Sequence, residues 1–253
     1  MEDMYPFADY HTHTRYSHGR GTPEENVQAA SRRGLKRVAI TDHGPGHYFI
    51  GIRGPGGFQK ARNEIDSLKG KYPHMDILLG VEANVISRDG EIDVPPDIIE
   101  KLDLILVGYH LLVRTRDAAF FYHLNIKNRL SKYNLPGGRN VRDTNTRALI
   151  AAVRRYPVKI VTHPGLHVDV DTRALALACQ EQGTALEINC SHLEETRSFV
   201  QPALATRVNF AISSDAHHPS QVGQFGPALK LVKDMAIPAS RIINLSGVDA
   251  SPI

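Results

Sequence analysis

Residues 77–84 read ILLGVEAN: four large apolar side chains around Gly80, then Glu82 where the apolar run stops. A short run rich in Val, Ile and Leu predicts a strand buried on both faces, the near-continuous kind found in parallel sheets. A carboxylate at such a strand end commonly caps a following helix, so Glu82 alone decides nothing. Six further runs share the pattern: Phe7–Tyr10, Arg37–Thr41, Leu104–Gly108, Lys159–Thr162, Ala185–Ile188 and Asn209–Ser213. Each is followed at once by a metal-competent side chain. These are His11 and His13 in YHTH, Asp42 and His43 in AITDHG, His110 in LVGYH, His163 in IVTHPG, Glu187 in LEINC, and Asp215 and His217 in ISSDAH.

Helical stretches with readable ends separate most of these strands. Thr22, Pro23 and Glu25 form a capping-box start, with Gly34 where the helix should stop. Asp171 and Gly183 bracket a helix over Thr172–Gln182, Pro157 ends one over Arg147–Tyr156, and a last helix is predicted over Pro227–Met235. Alternating strands and helices mean a mostly parallel sheet. An open sheet would spread seven strand ends along an edge, whereas a barrel gathers them on the face where active sites are built. The expected fold is therefore a single-domain α/β barrel spanning 1–253.

Composition agrees. The chain has 253 residues, 42% hydrophobic and 23% charged, which suits one soluble domain with a sizeable core. A formal charge of +3 argues against a histone-like or membrane-surface protein, and nucleic acid is not an expected partner. The start, MEDMYPFADYH, has no apolar signal-peptide core, and no run of about 18 apolar residues suggests a transmembrane helix. Cys179 and Cys190 are too few for a disulfide framework, so a cytoplasmic location is expected. Against no tryptophan, the chain carries 13 histidines.

A lone HxH or DAH is weak, because alternating histidines often just make a polar strand face. Their joint placement at successive strand ends points to metal. His11, His13, His43, Glu82, His110, His163, Asp215 and His217 are eight candidates, and His18 makes nine. One catalytic zinc takes about three protein ligands plus an open position, so this set fits two or three divalent ions. Imidazole and carboxylate without thiolate suit zinc first, with manganese or iron as alternatives. Glu82, with two oxygens, is the natural bridge. His47, His74, His123 and His218 are read as surface residues. Candidate substrate contacts are Arg15, Arg20, Arg53 in a Gly-rich GIRGPGG loop, Arg114, and His192.

Taken together, HTH, TDHG, GVEAN, GYH, THPG, EIN and SDAH resemble the polymerase and histidinol phosphatase (PHP) family, and most closely its stand-alone bacterial phosphatases with a trinuclear metal site. The resemblance runs from His11 to about Leu245. It implies a distorted (β/α)7 TIM-like barrel. It also implies one ion on His11, His13, Glu82 and Asp215, a second on Glu82, His110 and His163, and a third on His18, His43 and His217. Asp42 and Glu187 would stand behind the ligands and orient imidazoles. The implied reaction is hydrolysis of small phosphate monoesters by a metal-bound hydroxide, with Glu82, Asp215 and His217 catalytic. A PHP-type phosphodiesterase or nuclease is the alternative. An amidohydrolase-type enzyme is less favoured, because it expects eight strands. A homo-oligomer is compatible with all of these.

One stretch stands apart. Residues 111–142 carry seven basic side chains (Arg114, Arg116, Lys127, Arg129, Lys132, Arg139, Arg142) against one acidic, Asp117. It reads either as a basic loop or subunit contact anchored by Phe120, Phe121, Tyr122 and Leu124, or as a lid hinged at Gly137–Gly138 that attracts an anionic substrate.

Overall fold

The computed structural model describes residues 5–133, 135–136 and 140–245; the expected Gly137–Gly138 hinge lies outside them. Seven strands follow in order: β1 (Ala8–Asp9), β2 (Arg37–Ile40), β3 (Asp76–Asn84), β4 (Leu104–Gly108), β5 (Ile160–Val161), β6 (Ala185–Asn189) and β7 (Phe210–Ser213). Each pairs in parallel with the next. The ring nearly closes between its first and last strands, where Thr12 bridges Ala216 and the His13 amide donates to the Ala216 carbonyl at 2.8 Å. Asn244 and Asp9 secure that seam. The Asn244 amide donates to the Ala8 and Ile212 carbonyls, and Asp9 accepts from the Ser214 and Gly223 amides.

Helices α1 (Pro23–Arg32), α2 (Gly54–Lys71), α3 (Pro96–Ile99), α4 (Ala118–Tyr122), α5 (Asn128–Lys132), α6 (Val141–Arg155), α7 (Thr172–Gln182), α8 (Leu193–Leu204) and α9 (Gly226–Asp234) occupy the connections. The core follows the strand period of two. Leu104 and Leu106 of β4 join Ala8, Tyr10, Ala39, Ile160, Ala185 and Ala211 in a small cluster, while Ile105 and Val107 join the larger cluster shared with the helices. Among the described residues no helix is long and apolar enough to cross a membrane.

Several boundaries differ from expectation. β1 and β5 are only two residues long, whereas β3 runs nine residues to Asn84. Glu82 and Glu187 therefore sit inside strands rather than after them. β3 is prolonged because the chain beyond β2 keeps pairing with it: the Glu82 amide donates to the Asp42 carbonyl and the Gly44 amide to the Glu82 carbonyl. GIRGPGG is not a free loop, since Gly54–Gly57 form the first turn of α2. Pro55 is tolerated there because a first-turn amide has no helical acceptor, and Phe58, Ala61, Ile65 and Leu68 bury at helical spacing. α6 begins at Val141, six residues before the predicted start.

His123 is the clearest correction to a side-chain expectation. It lies in a π-helical turn, His123–Lys127, and is 2% exposed rather than on the surface. Its polarity is met indoors, by Asn145 Oδ1 at 2.8 Å from Nε2. His74 and His218 are exposed as expected.

Candidate metal centre

Glu82 is completely buried, and its two carboxylate oxygens face different neighbours. Oε2 lies 2.9 Å from His43 Nδ1, 3.2 Å from His11 Nε2 and 3.6 Å from His13 Nε2. Oε1 lies 2.8 Å from His163 Nε2 and 3.4 Å from His110 Nε2. Asp215 Oδ1 closes the first side, 3.3 Å from His13 and 3.5 Å from His11. Around the mouth, the His217 ring lies 4.5 Å from His13 and 4.2 Å from His18, and His18 lies 4.9 Å from His43. All nine candidate ligands are thus gathered at one end of the barrel.

The backbone pays for this convergence in conformation. His163 (φ 25°) and Asp215 (φ 53°) both sit in the left-handed region, sparsely populated by residues with a Cβ. The loop carrying His18 folds back so tightly that a Cβ at Gly19 would lie 2.5 Å from the His13 carbonyl.

Hydrogen bonds outside the cluster choose which imidazole nitrogen faces inward. Glu187 Oε1 holds His11 Nδ1 at 2.7 Å, and Glu187 Oε2 accepts the His163 amide at 2.8 Å. Asn84 Oδ1 holds His110 Nδ1 at 2.7 Å, and the Asn84 amide is itself fixed by partly buried Asp93. His217 Nδ1 donates to the Asp215 carbonyl. Glu187 thus orients an imidazole as expected. Asp42 does not: it accepts from the Thr14 amide, the Thr14 hydroxyl and the Ser17 hydroxyl, and so pins the loop that carries His18.

Charge states follow from burial and mutual fields. Burial alone would raise the Glu82 carboxyl, but His110, His11 and His43 outweigh it and hold its pKa well below the usual range. Asp215 behaves likewise under His11 and His13. Burial, then the field of His43, pushes His13 well down, and burial also pushes His110 well down. His18 falls to about 4, through burial and then His217 and His43. His11 and His163 go the other way, because Glu82, Glu187 and Asp215 overcome their burial and raise them. Ionised Glu82 and Asp215 beside imidazoles such as His13 and His110, which burial keeps neutral, are the states a cation requires.

The packing tests whether a metal fits. Glu82 Oε2 has three imidazole nitrogens within 3.6 Å yet makes no hydrogen bond, and His13 Nδ1 and His43 Nδ1 are also buried without one. Buried polar atoms normally find partners, so atoms that converge on common points without bonding one another suit ions. Three groups have ligand atoms within 4.8 Å of one another: His11, His13 and Glu82; His43, Glu82 and His110; His13, His43 and His217. His43 therefore meets Glu82 as well as the His217 side to which the resemblance confined it.

The arginines are not drawn in. Arg15 is exposed and pairs with Glu64 at 3.4 Å, Arg53 is exposed at the start of α2, and Arg114 lies over the Tyr48 ring at 6.0 Å. Arg20 lines a groove with Arg32 and Arg33 beside α1. His192 does reach the site, with Nε2 3.6 Å from Asp215 Oδ2. Asn84 and Asn189 were missed. Asn84 lies two residues beyond Glu82 on the same strand face, a spacing that could have found it. Asn189 donates to both Glu187 and Asp215.

A seven-stranded parallel barrel that gathers imidazoles and carboxylates around a buried glutamate defines a TIM-like barrel with a metal-type site. The chain belongs to the PHP domain family, whose profile matches residues 9–204. It is 32% identical over 254 residues to a probable phosphatase of Caldanaerobacter subterraneus subsp. tengcongensis, covering 94% of this chain and 87% of that one. It is 31% identical over 260 residues to the probable phosphatase YcdX of Escherichia coli, covering 96% of this chain and 91% of the relative. A histidinol phosphate phosphatase from Lactococcus lactis, solved with zinc, L-histidinol and phosphate, shares the fold. Its TM-score is 0.54 at 18% identity, over 90% of this chain and 92% of that one.

Proposed function

We propose that this chain is a metal-dependent phosphatase that hydrolyses small phosphate monoesters. The observation that carries this reading is the division of Glu82, one oxygen among His11, His13 and His43 and the other between His110 and His163. A carboxylate so placed would bridge two cations. His11, His13 and Asp215 would complete one site and His110 and His163 the other, with His43, His217 and His18 offering a third. Zinc is the first choice, with manganese or iron as alternatives.

Bound divalent cations supply a water that ionises near neutral pH and neutralise the phosphoryl oxygens. The chain's own groups do the rest. Glu187 and Asn84 keep His11 and His110 aimed at Glu82, so the ligands need no reorganisation on binding. Barrel walls keep Glu82 and His13 dry, which strengthens every charge interaction between them. His192, half-buried at the rim with Nε2 3.6 Å from Asp215 Oδ2, would hand a proton to the departing alkoxide. The names of the relatives support the phosphatase reading.

The test is turnover of p-nitrophenyl phosphate and bis(p-nitrophenyl) phosphate by metal-loaded protein. Monoester hydrolysis that vanishes on chelation and returns with zinc or manganese is expected. Diester hydrolysis without monoester hydrolysis would favour the phosphodiesterase reading, and neither activity from a fully loaded protein would end both.

A further inference from the structure

Past the ends of β4 and β5 lies a cavity of about 200 Å³ whose charged lining, among the described residues, is entirely positive. Leu111, Leu124, Asn128, Arg129, Lys132 and His167 form most of its wall, and no carboxylate contributes. Two of its lining residues lie close to candidate ligands along the chain. Leu111 directly follows His110, and His167 comes directly after the turn that the Leu166 amide closes on the His163 carbonyl at 3.0 Å.

The basic side of this cavity is built, not loosely draped. Phe120 and Leu124 are fully buried, which anchors the segment running from α4 through the π turn into α5. Asn125 Oδ1 accepts the Leu112 amide at 2.8 Å, tying the helical run to the chain just past β4. Asn128 and Asn145 hydrogen-bond at 2.7 Å, and Asn145 also donates to the Asp169 carbonyl, so α5, α6 and the chain after β5 are locked together. On this frame Arg129 and Lys132 are exposed and make no hydrogen bond or ion pair with any described residue. Elsewhere in the segment Arg116 lies near Glu91 and Arg142 near Asp169 and Asp171, and Lys127 does not line the cavity. The cavity continues past Lys132 and His167 into a larger one of about 540 Å³, where the carboxylates of Asp169 and Glu195 first appear.

We infer that this cavity receives a second anionic group on the substrate's alcohol side, a carboxylate or a further phosphate, held by Arg129 and Lys132. The inference rests on the phosphatase reading and narrows its substrate class to phosphate esters of small anionic alcohols. Two cations left unpaired at the rim of a cavity without a carboxylate are available for charge-assisted hydrogen bonds. The described part of the basic stretch is accordingly a fixed wall of the site.

The test compares glycerol phosphate with phosphoglycerate and with glycerol bisphosphate, which add a carboxylate or a phosphate to the same alcohol. For the metal-loaded protein, kcat/KM for at least one anionic analogue should exceed that for glycerol phosphate by about tenfold, the size of one charge-assisted hydrogen bond. Whichever analogue gains more identifies the group. In Arg129→Gln/Lys132→Gln the ratio should fall toward one. Calorimetric binding of a carboxyalkyl phosphonate against the plain alkyl phosphonate should show the same preference and the same loss, with no turnover required. Equal kcat/KM values in the unsubstituted protein, or a preference that survives the double substitution, would overturn the inference while leaving the phosphatase reading intact. If no monoester is hydrolysed, the phosphatase reading fails by itself, and the phosphonate titration still decides whether the anion site exists.

Discussion

Glu82 is the residue on which the others depend, because five imidazole nitrogens lie within 3.6 Å of its two oxygens. Glu82→Ala should remove most bound metal and essentially all activity, whereas His18→Ala, at the exposed mouth, should weaken one ion only. Elemental analysis after metal reloading checks this, and full metal content in Glu82→Ala would rule out the bridge. Asn84 acts one step back, by fixing the His110 ring. Asn84→Ala should lower metal affinity by about 10- to 100-fold, the usual cost of losing such a support, and a competitive chelator titration measures it. The candidate ligands that the fold gathers were legible in the sequence because all but His18 follow or interrupt an apolar run. Their supports were less so: an asparagine carries no such signature, and the His11–Glu187 contact joins residues 176 positions apart.

At the level of elements, local signals and tertiary needs divide the work. The Thr22 cap is local. Its hydroxyl accepts the Glu25 amide at 3.1 Å while Glu25 accepts the Thr22 amide at 2.8 Å, and the pattern was readable from four adjacent residues. Thr22→Ala should cost about 1 kcal/mol. In a chain of this size that lowers Tm by roughly 2–4 °C, measurable by calorimetry, with metal content unchanged. The loop after β1 shows the opposite case. Asp42 pins Thr14 and Ser17 from the end of the next strand, so Asp42→Ala should reduce occupancy of the site that includes His18 more than that of the Glu82 sites. Metal stoichiometry in the variant decides it. The start of α2 was hidden for a related reason: GPGG reads as a loop locally, and only burial of Phe58, Ala61 and Ile65 makes it helical.

At the scale of the whole molecule, closure of the barrel concentrates on a few groups. Asn244 is fully buried at the seam, accepts the Ile212 amide at 3.0 Å, and donates to Ala8 and Ile212 carbonyls. Asn244→Ala would strand those backbone groups, at about 1–3 kcal/mol for each left unsatisfied. Its urea midpoint should fall further than that of any single surface substitution. Acid should act through His123, whose pKa burial lowers despite the bond to Asn145. The unfolded chain then binds a proton near pH 6.5 that the folded chain refuses. The resulting stability is whole above that pH and declines as pH falls through 6.5 toward the lowered folded value. The difference in unfolding free energy between the unsubstituted chain and His123→Gln should therefore shrink between pH 7.5 and 5.5, and a constant difference would refute the assignment.

The sequence by itself determined the strand order, the parallel barrel and the metal-competent residues at its mouth. Those depend on apolar runs and on what adjoins them, and both are properties of neighbours along the chain. Only the tertiary structure decided that His123 faces inward to Asn145, that Asp42 serves a loop rather than an imidazole, and that Arg15 belongs to Glu64. It also decided that Arg129 and Lys132 line one cavity and pair with no described residue. Such outcomes turn on which partner lies within about 3 Å after folding, and that distance is set by packing between segments remote in sequence.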